Sequence, residues 1–176
     1  MRILAISGSL RAGSSNSRLI DALALLAPEG TEVVVYSGLG DLPHFNPDLD
    51  GDSPPAPVIR LRDEIGLCDG LVICSPEYAH GVAGVMKNGL DWLVASLEFG
   101  GKPVALINAS SRAIHAQAHM RENLLTMSAR IVEAASLTVP LQGVALSPTE
   151  IAADPTLSGQ LRSVLAAMLQ AGPVQA

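Results

Sequence analysis

The sequence predicts an α/β fold, a parallel sheet with helices packed on both faces. Three observations carry that prediction. Short apolar runs alternate with segments of helical periodicity along all 176 residues, the pattern of successive βα units. The apolar runs are nearly continuous, as in strands buried on both faces. Two loops rich in glycine, hydroxyls or proline follow directly after the first and third runs.

Taken in order, residues 2–7 form the first strand. A helix from about Asn16 to Leu26 follows, with Leu19, Ile20, Leu23, Leu26 and Ala27 on one face. Pro28 and Gly30 end it. Glu32 to Tyr36 is β-branched and reads as strand two. A polar connection runs from Ser37 to Pro57 with five prolines and three glycines. It is longer than an ordinary βα loop, and such loops are often functional. Its His44 and Phe45 either reach a ligand or tether the loop.

Val58, Leu61, Ile65 and Cys68 have helical spacing, which predicts a helix over 57–67. Leu71 to Cys74 is strand three. The third helix is expected over 83–97, burying Met86, Leu90, Leu93, Val94 and Leu97, with Gly100-Gly101 ending the element. Pro103 to Asn108 is strand four, and Ala109-Ser110-Ser111-Arg112 the loop after it. Residues 115–128 form helix four. A weak fifth strand lies between Ile131 and Val139, and 140–153 reads as irregular. Asp154-Pro155 supplies a cap and an N1 proline for the last helix, which Gly172-Pro173 closes.

Right-handed crossovers leave few ways to arrange five such strands. The expected arrangement is a flavodoxin-like three-layer sandwich, a single domain over residues 1–176 with strand order 2-1-3-4-5. That order puts the loops after strands one and three at the topological switch point, where open α/β sheets bind ligands.

Composition narrows the partners. The net charge is −6 and no Lys/Arg cluster is present, which argues against nucleic acid. No apolar run has membrane length. The chain opens in a strand pattern without a signal peptide. Cys68 and Cys74 lie in or near an apolar run without C-x-x-C spacing. They read as buried thiols in a reducing cytoplasm.

The first loop is Gly8-Ser9-Leu10-Arg11-Ala12-Gly13-Ser14-Ser15-Asn16. A helix start with free N–H groups, a favourable dipole and small residues suits an anion. Arg11 adds a fork of donors matched to phosphate. A Walker loop would need a Lys beside Ser or Thr. A dinucleotide fingerprint would need an intact G-x-G-x-x-G and an acidic residue after the second strand. Neither is present, which leaves a hydroxyl-rich cradle for a phosphate monoester, or an ordinary βα turn with a Ser/Asn cap. The second loop, Ser75-Pro76-Glu77-Tyr78-Ala79-His80-Gly81, suits a flat heteroaromatic ring: proline stiffens the backbone and Tyr78 can cover a ring face or line its edge. By itself it would read as a proline-bounded turn. His115 and His119 are four apart on a helix, but no H-E-x-x-H pattern accompanies them, and no metal is expected.

Together these stretches resemble the NADPH-dependent FMN reductase family, which includes flavodoxin-like quinone, chromate and azo-dye reductases. The first loop is similar to its G-S-L-R-x-G-S-x-N pattern. Residues 76–92 resemble its P-E-Y-x-x-x-x-x-G-x-x-K-N-x-x-D-W signature. The likeness extends from residue 2 to about 130. It implies FMN bound non-covalently and NADPH or NADH as hydride donor. Ser9, Arg11, Ser14, Ser15 and Asn16 would hold the phosphate. Pro76, Glu77 and Tyr78 would flank the isoalloxazine, and Ser110 or Ser111 would reach the ring or ribityl chain. Two departures stand out: Ala79 replaces a frequent Asn, and Ser111-Arg112-Ala113-Ile114 replaces frequent glycines. The third helix would lie at a dimer interface, with Trp92 there or in the core of one subunit. Lys87 and Asp91 would form an ordinary helix pair.

The implied activity is a ping-pong oxidoreductase passing electrons to a flavin, quinone or similar small-molecule acceptor, in a cytoplasmic homodimer or homotetramer. No catalytic side chain is assigned. The alternative is a flavodoxin-type electron carrier without its own substrate turnover. Carriers tend to be strongly acidic and to sandwich the ring between aromatics. This chain has one Trp, two Tyr and a modest negative charge, which favours the enzyme.

Overall fold

The computed structural model describes residues 1–141 and 145–173. Five parallel strands form one sheet: β1 (Arg2–Ser7), β2 (Glu32–Tyr36), β3 (Gly70–Cys74), β6 (Pro103–Ile107) and β7 (Arg130–Ile131). Their order is β2-β1-β3-β6-β7, the 2-1-3-4-5 topology expected from the sequence. Two further strands, β4 (Glu77–Tyr78) and β5 (Gly81–Val82), pair antiparallel in a separate small hairpin.

The period of two decides which helix meets which strand residue. Leu4 and Ile6 of β1, Leu71 and Ile73 of β3, and Val104 and Leu106 of β6 point to one face. There they pack on α2 (Ala56–Leu67), α3 (Gly84–Asp91) and α4 (Ile114–Thr126). Ile3 and Ala5, Val72 and Cys74, and Ala105 and Ile107 point the other way. They meet α1 (Ser15–Leu25), α5 (Pro148–Ala153) and α6 (Pro155–Ala171). Two-sided burial is why these strands read as continuous apolar runs.

Three elements differ from the sequence expectation. The third helix stops at Asp91 rather than at 97, and Val94 and Leu97 of the expected stripe are exposed. Tertiary bonds hold the chain at that point. Arg62 of α2 donates to the Trp92 carbonyl from Nε (3.2 Å) and Nη2 (2.7 Å), as basic side chains do at helix C-termini. The Trp92 side chain is fully buried in its own chain. Second, part of the stretch 140–153 is helical, and the rest of it includes 142–144, outside the described residues. The α5 helix opens on a capping box in which Ser147 and Glu150 bond each other's backbone N–H. Third, the fifth strand is short: β7 gives way to a 3₁₀ turn at Glu133–Ala135, and Thr138 then bridges Asn108.

The long connection after β2 contains two 3₁₀ turns, Gly38–Asp41 and Pro47–Leu49, and is tethered along its length. Asn88 donates from Nδ2 to the Pro43 carbonyl (2.9 Å) and accepts from the Phe45 N–H at Oδ1 (2.7 Å). Trp92 Nε1 donates to the same carbonyl (2.8 Å), and its ring meets Phe45 edge-on at 5.0 Å. Asp50 pairs with Arg62 at 2.7 Å. Phe45 is therefore a tether, and His44 is exposed.

The turn of the small hairpin is unusual. Ala79 (φ 50°) and His80 (φ 56°) both adopt left-handed backbone, as a type I′ turn requires, without the Asn or Gly that normally occupy it. Ala79→Gly should therefore raise stability by about 1 kcal/mol. The check is a higher denaturant midpoint at an unchanged m-value.

Candidate functional site

At the carboxyl edge of the sheet, the β1–α1 loop, the hairpin after β3 and the loop after β6 enclose a cleft of about 510 Å³. That lies within the roughly 300–1,000 Å³ usual for small-molecule sites. Ser9, Arg11, Ser14, Ser15 and Asn16 line it from the first loop, Pro76, Glu77 and Tyr78 from the hairpin, and Asn108, Ala109, Ser110, Arg112 and Ala113 from the third loop.

Gly8 brings the first loop close to the second. A Cβ there would lie 2.5 Å from Ser75 Oγ, so only glycine fits this approach. The Gly8 N–H donates to the Cys74 carbonyl (2.8 Å), and the Ser14 N–H closes the loop onto the Arg11 carbonyl (3.1 Å). Gly13 has a φ of 62°. Ser14 caps α1: its Oγ accepts from the Ser17 N–H (3.0 Å) and donates to Ser17 Oγ (2.9 Å), which in turn lies 3.0 Å from Ser7 Oγ. These bonds occupy the Ser14 hydroxyl with holding the loop. The N–H groups of Ser15 and Asn16, in the first turn of α1, have no carbonyl four residues back to bond and suit an anion. Arg11 is exposed, and no ion pair involves it among the described residues.

The hairpin is fastened to α4 by Glu77. The residue before α4, Ala113, supplies no side-chain cap. Glu77 Oε2 accepts from the Ala116 N–H (2.9 Å) instead, and Oε1 lies 3.3 Å from His80 Nδ1. The Ala116 N–H holds the Glu77 carboxyl below the usual carboxylate range, with smaller favourable pulls from the backbone and ring of His115 and from His80. The His80 and His115 rings meet edge-on at 4.5 Å. Glu77 thus lines the cleft while its carboxylate serves as an anchor. Tyr78, 58% exposed, stands at the cleft mouth.

On the third side, Asn108 is buried and its Oδ1 accepts from the Ser110 N–H (3.0 Å). Ser110 Oγ accepts from the Arg112 N–H (3.2 Å). These bonds fold the loop so that Ser110 and Arg112 line the cleft, while Ser111 is exposed and lies outside its lining. Sequence reasoning passed over Asn108. Its position at the end of a buried strand beside the switch point was the available signal.

The cleft is rich in donors, and its one carboxylate is already engaged. One end has Arg11 and first-turn N–H groups for a phosphate. The body has proline, an aromatic ring and backbone for a planar group. These residues fit FMN.

Comparison with known proteins agrees. The family model for NADPH-dependent FMN reductase matches residues 1–143. An NAD(P)H-dependent FMN reductase of Pseudomonas aeruginosa is 36% identical over 130 residues, 71% of this chain and 70% of the relative. A quinone reductase of Escherichia coli is 34% identical over 139 residues, 75% of this chain and 73% of the relative. Among solved structures, the NAD(P)H:acceptor oxidoreductase FerB of Paracoccus denitrificans superposes with a TM-score of 0.80. It is 29% identical, with 97% of this chain and 98% of that chain covered. With its two signature loops forming one cleft at the switch point of the sheet, this chain belongs to the NADPH-dependent FMN reductase family.

Proposed function

We propose that this protein is an FMN-dependent NAD(P)H oxidoreductase that reduces quinones, free flavins or similar acceptors by a ping-pong mechanism. The observation that supports it is the meeting of the first loop and the hairpin in one cleft large enough for FMN. Bound there, FMN would supply the redox chemistry, taking a hydride from the nicotinamide and yielding two electrons to the acceptor. The chain's own part is binding and orientation. Arg11 and the N–H groups of Ser15 and Asn16 would hold the phosphate. Pro76, Tyr78 and the 108–113 loop would flank the ring. Glu77, bonded to the Ala116 N–H, keeps the hairpin against α4, so the ring-binding wall is fixed before the ligand arrives.

Arg11, Tyr78 and Arg112 are the exposed members of the lining. We place the entrance between them, used in turn by donor and acceptor. An assembly of two or four copies belongs to the same reading. Among the described residues, no helix is long and apolar enough to cross a membrane.

Initial rates with NADPH and a benzoquinone varied together test the mechanism. Parallel double-reciprocal lines are expected; intersecting lines would overturn ping-pong exchange. Failure of NADPH to bleach the bound flavin under anaerobic conditions would favour the electron carrier instead.

A further inference from the structure

Cys74 ties down both ends of the first loop. Its carbonyl accepts from the Gly8 N–H at 2.8 Å, where the loop begins. Its thiol donates to Asn16 Oδ1 at 3.0 Å, where the loop has entered α1. Cys74 is fully buried in the α1/α6 core, and Asn16 is buried with one side lining the cleft.

An asparagine side chain presents an oxygen and an NH₂ of nearly equal size. Turned one way it offers an anion a donor; turned the other way it offers a repelling oxygen. A neighbour that donates a proton to the oxygen, and whose sulfur is only a weak acceptor for the NH₂, favours one orientation. We propose that Cys74 is a positioning residue for the anion end of the cleft: its thiol holds Asn16 Oδ1, so that Nδ2 is the side-chain group left to face a phosphate. This inference rests on the FMN reading above and adds the residue that sets the polarity of its phosphate site. Burial pushes the Cys74 thiol up to about 12, against a smaller opposing pull from the Ala109 backbone N–H. The thiol therefore keeps its proton, and with it the donor role, at any physiological pH. Its low polarity also lets it sit among Ile107, Ala109 and Leu19 in the core.

The test compares Cys74→Ala with Cys74→Ser. Both shorten the side chain, but only serine keeps a donor. FMN and riboflavin affinities are measured for each, riboflavin being the same ring without phosphate. The expected result is an FMN dissociation constant raised about 2- to 12-fold in Cys74→Ala, the effect of one neutral hydrogen bond. Cys74→Ser should lie within about twofold of wild type, since the bond is kept, and riboflavin affinity should change in neither variant. A readout without flavin comes from the S–H stretching band that disappears in Cys74→Ala. In the wild-type background it should shift to higher frequency when Asn16 is replaced by Ala. Equal FMN affinity in the Ala and Ser variants, or a band indifferent to Asn16, overturns the positioning role while the FMN reading stands. If wild type binds no FMN, the FMN reading itself fails, and the role proposed for Cys74 fails with it.

Discussion

Replacing Arg11 with alanine should weaken FMN binding by about 1.5–3 kcal/mol, the range for hydrogen bonds to a charged group, or roughly a 10- to 150-fold higher dissociation constant. The fold should be unaffected. Arg11 is exposed and takes part in no ion pair among the described residues. The hydrogen bonds that tie it to the loop, from its backbone N–H to Ser9 Oγ at 3.4 Å and from the Ser14 N–H to its carbonyl at 3.1 Å, involve only its backbone and survive the substitution. Loss of affinity therefore reports on the ligand and not on the loop. Arg11→Lys should recover only part of the binding, because an ammonium is a point charge without the planar fork that matches phosphate. Fluorescence titration with FMN, and a denaturation curve to confirm unchanged stability, provide the check. An unchanged affinity would remove the first loop from the phosphate site.

The largest effect on stability is expected at Trp92. Trp92→Ala should cost about 3–5 kcal/mol, the usual range for truncating a buried aromatic side chain. Trp92 has no exposed surface. It joins three elements: its carbonyl is bonded by Arg62, its Nε1 by the Pro43 carbonyl, and its ring by the edge of Phe45. Trp92→Phe retains a ring in the core and should cost less. It leaves the Pro43 carbonyl with Asn88 as its remaining side-chain donor, a loss of about 0.5–1.5 kcal/mol for the bond itself in addition to packing changes. Urea denaturation distinguishes the two. A Trp92→Ala variant as stable as wild type would mean that the long connection after β2 is not held by this clamp. The Asn and Trp of the 76–92 signature thus serve the structure: they fasten the connection that covers α3.

The same residues explain where sequence reasoning succeeded and where it fell short. Strands β1, β3 and β6 were legible because two-sided burial leaves unbroken apolar runs. Chirality and the alternation of elements left few strand orders, and the flavodoxin-like order among them put the two unusual loops together at the switch point. The first loop was legible because its glycines and hydroxyls are adjacent in sequence. The end of α3 was not, because Arg62 and Pro43, which hold Trp92, lie far away along the chain. The apolar spacing continued through Val94 and Leu97 although those side chains face solvent. The hairpin was hidden because its turn uses Ala79 and His80 rather than Asn-Gly. Helix α5 was readable in principle from Ser147 and Glu150, a capping box at the required spacing. Glu77 drew attention as a neighbour of the ring, but its carboxylate bonds a helix N–H that is only reached by folding. In the third loop, adjacent serines could not be told apart by sequence. The Asn108 and Ser110 side chains set the turn that brings Ser110 in and leaves Ser111 out.

That two separate turns form one flavin cleft is tested most directly by titrating the purified wild-type chain with FMN and with riboflavin, then adding NADPH anaerobically. Saturable quenching of flavin fluorescence, markedly tighter for FMN than for riboflavin, followed by bleaching of the bound pool, is the predicted result. Absence of saturable FMN binding, or equal affinity with and without the phosphate, would contradict it.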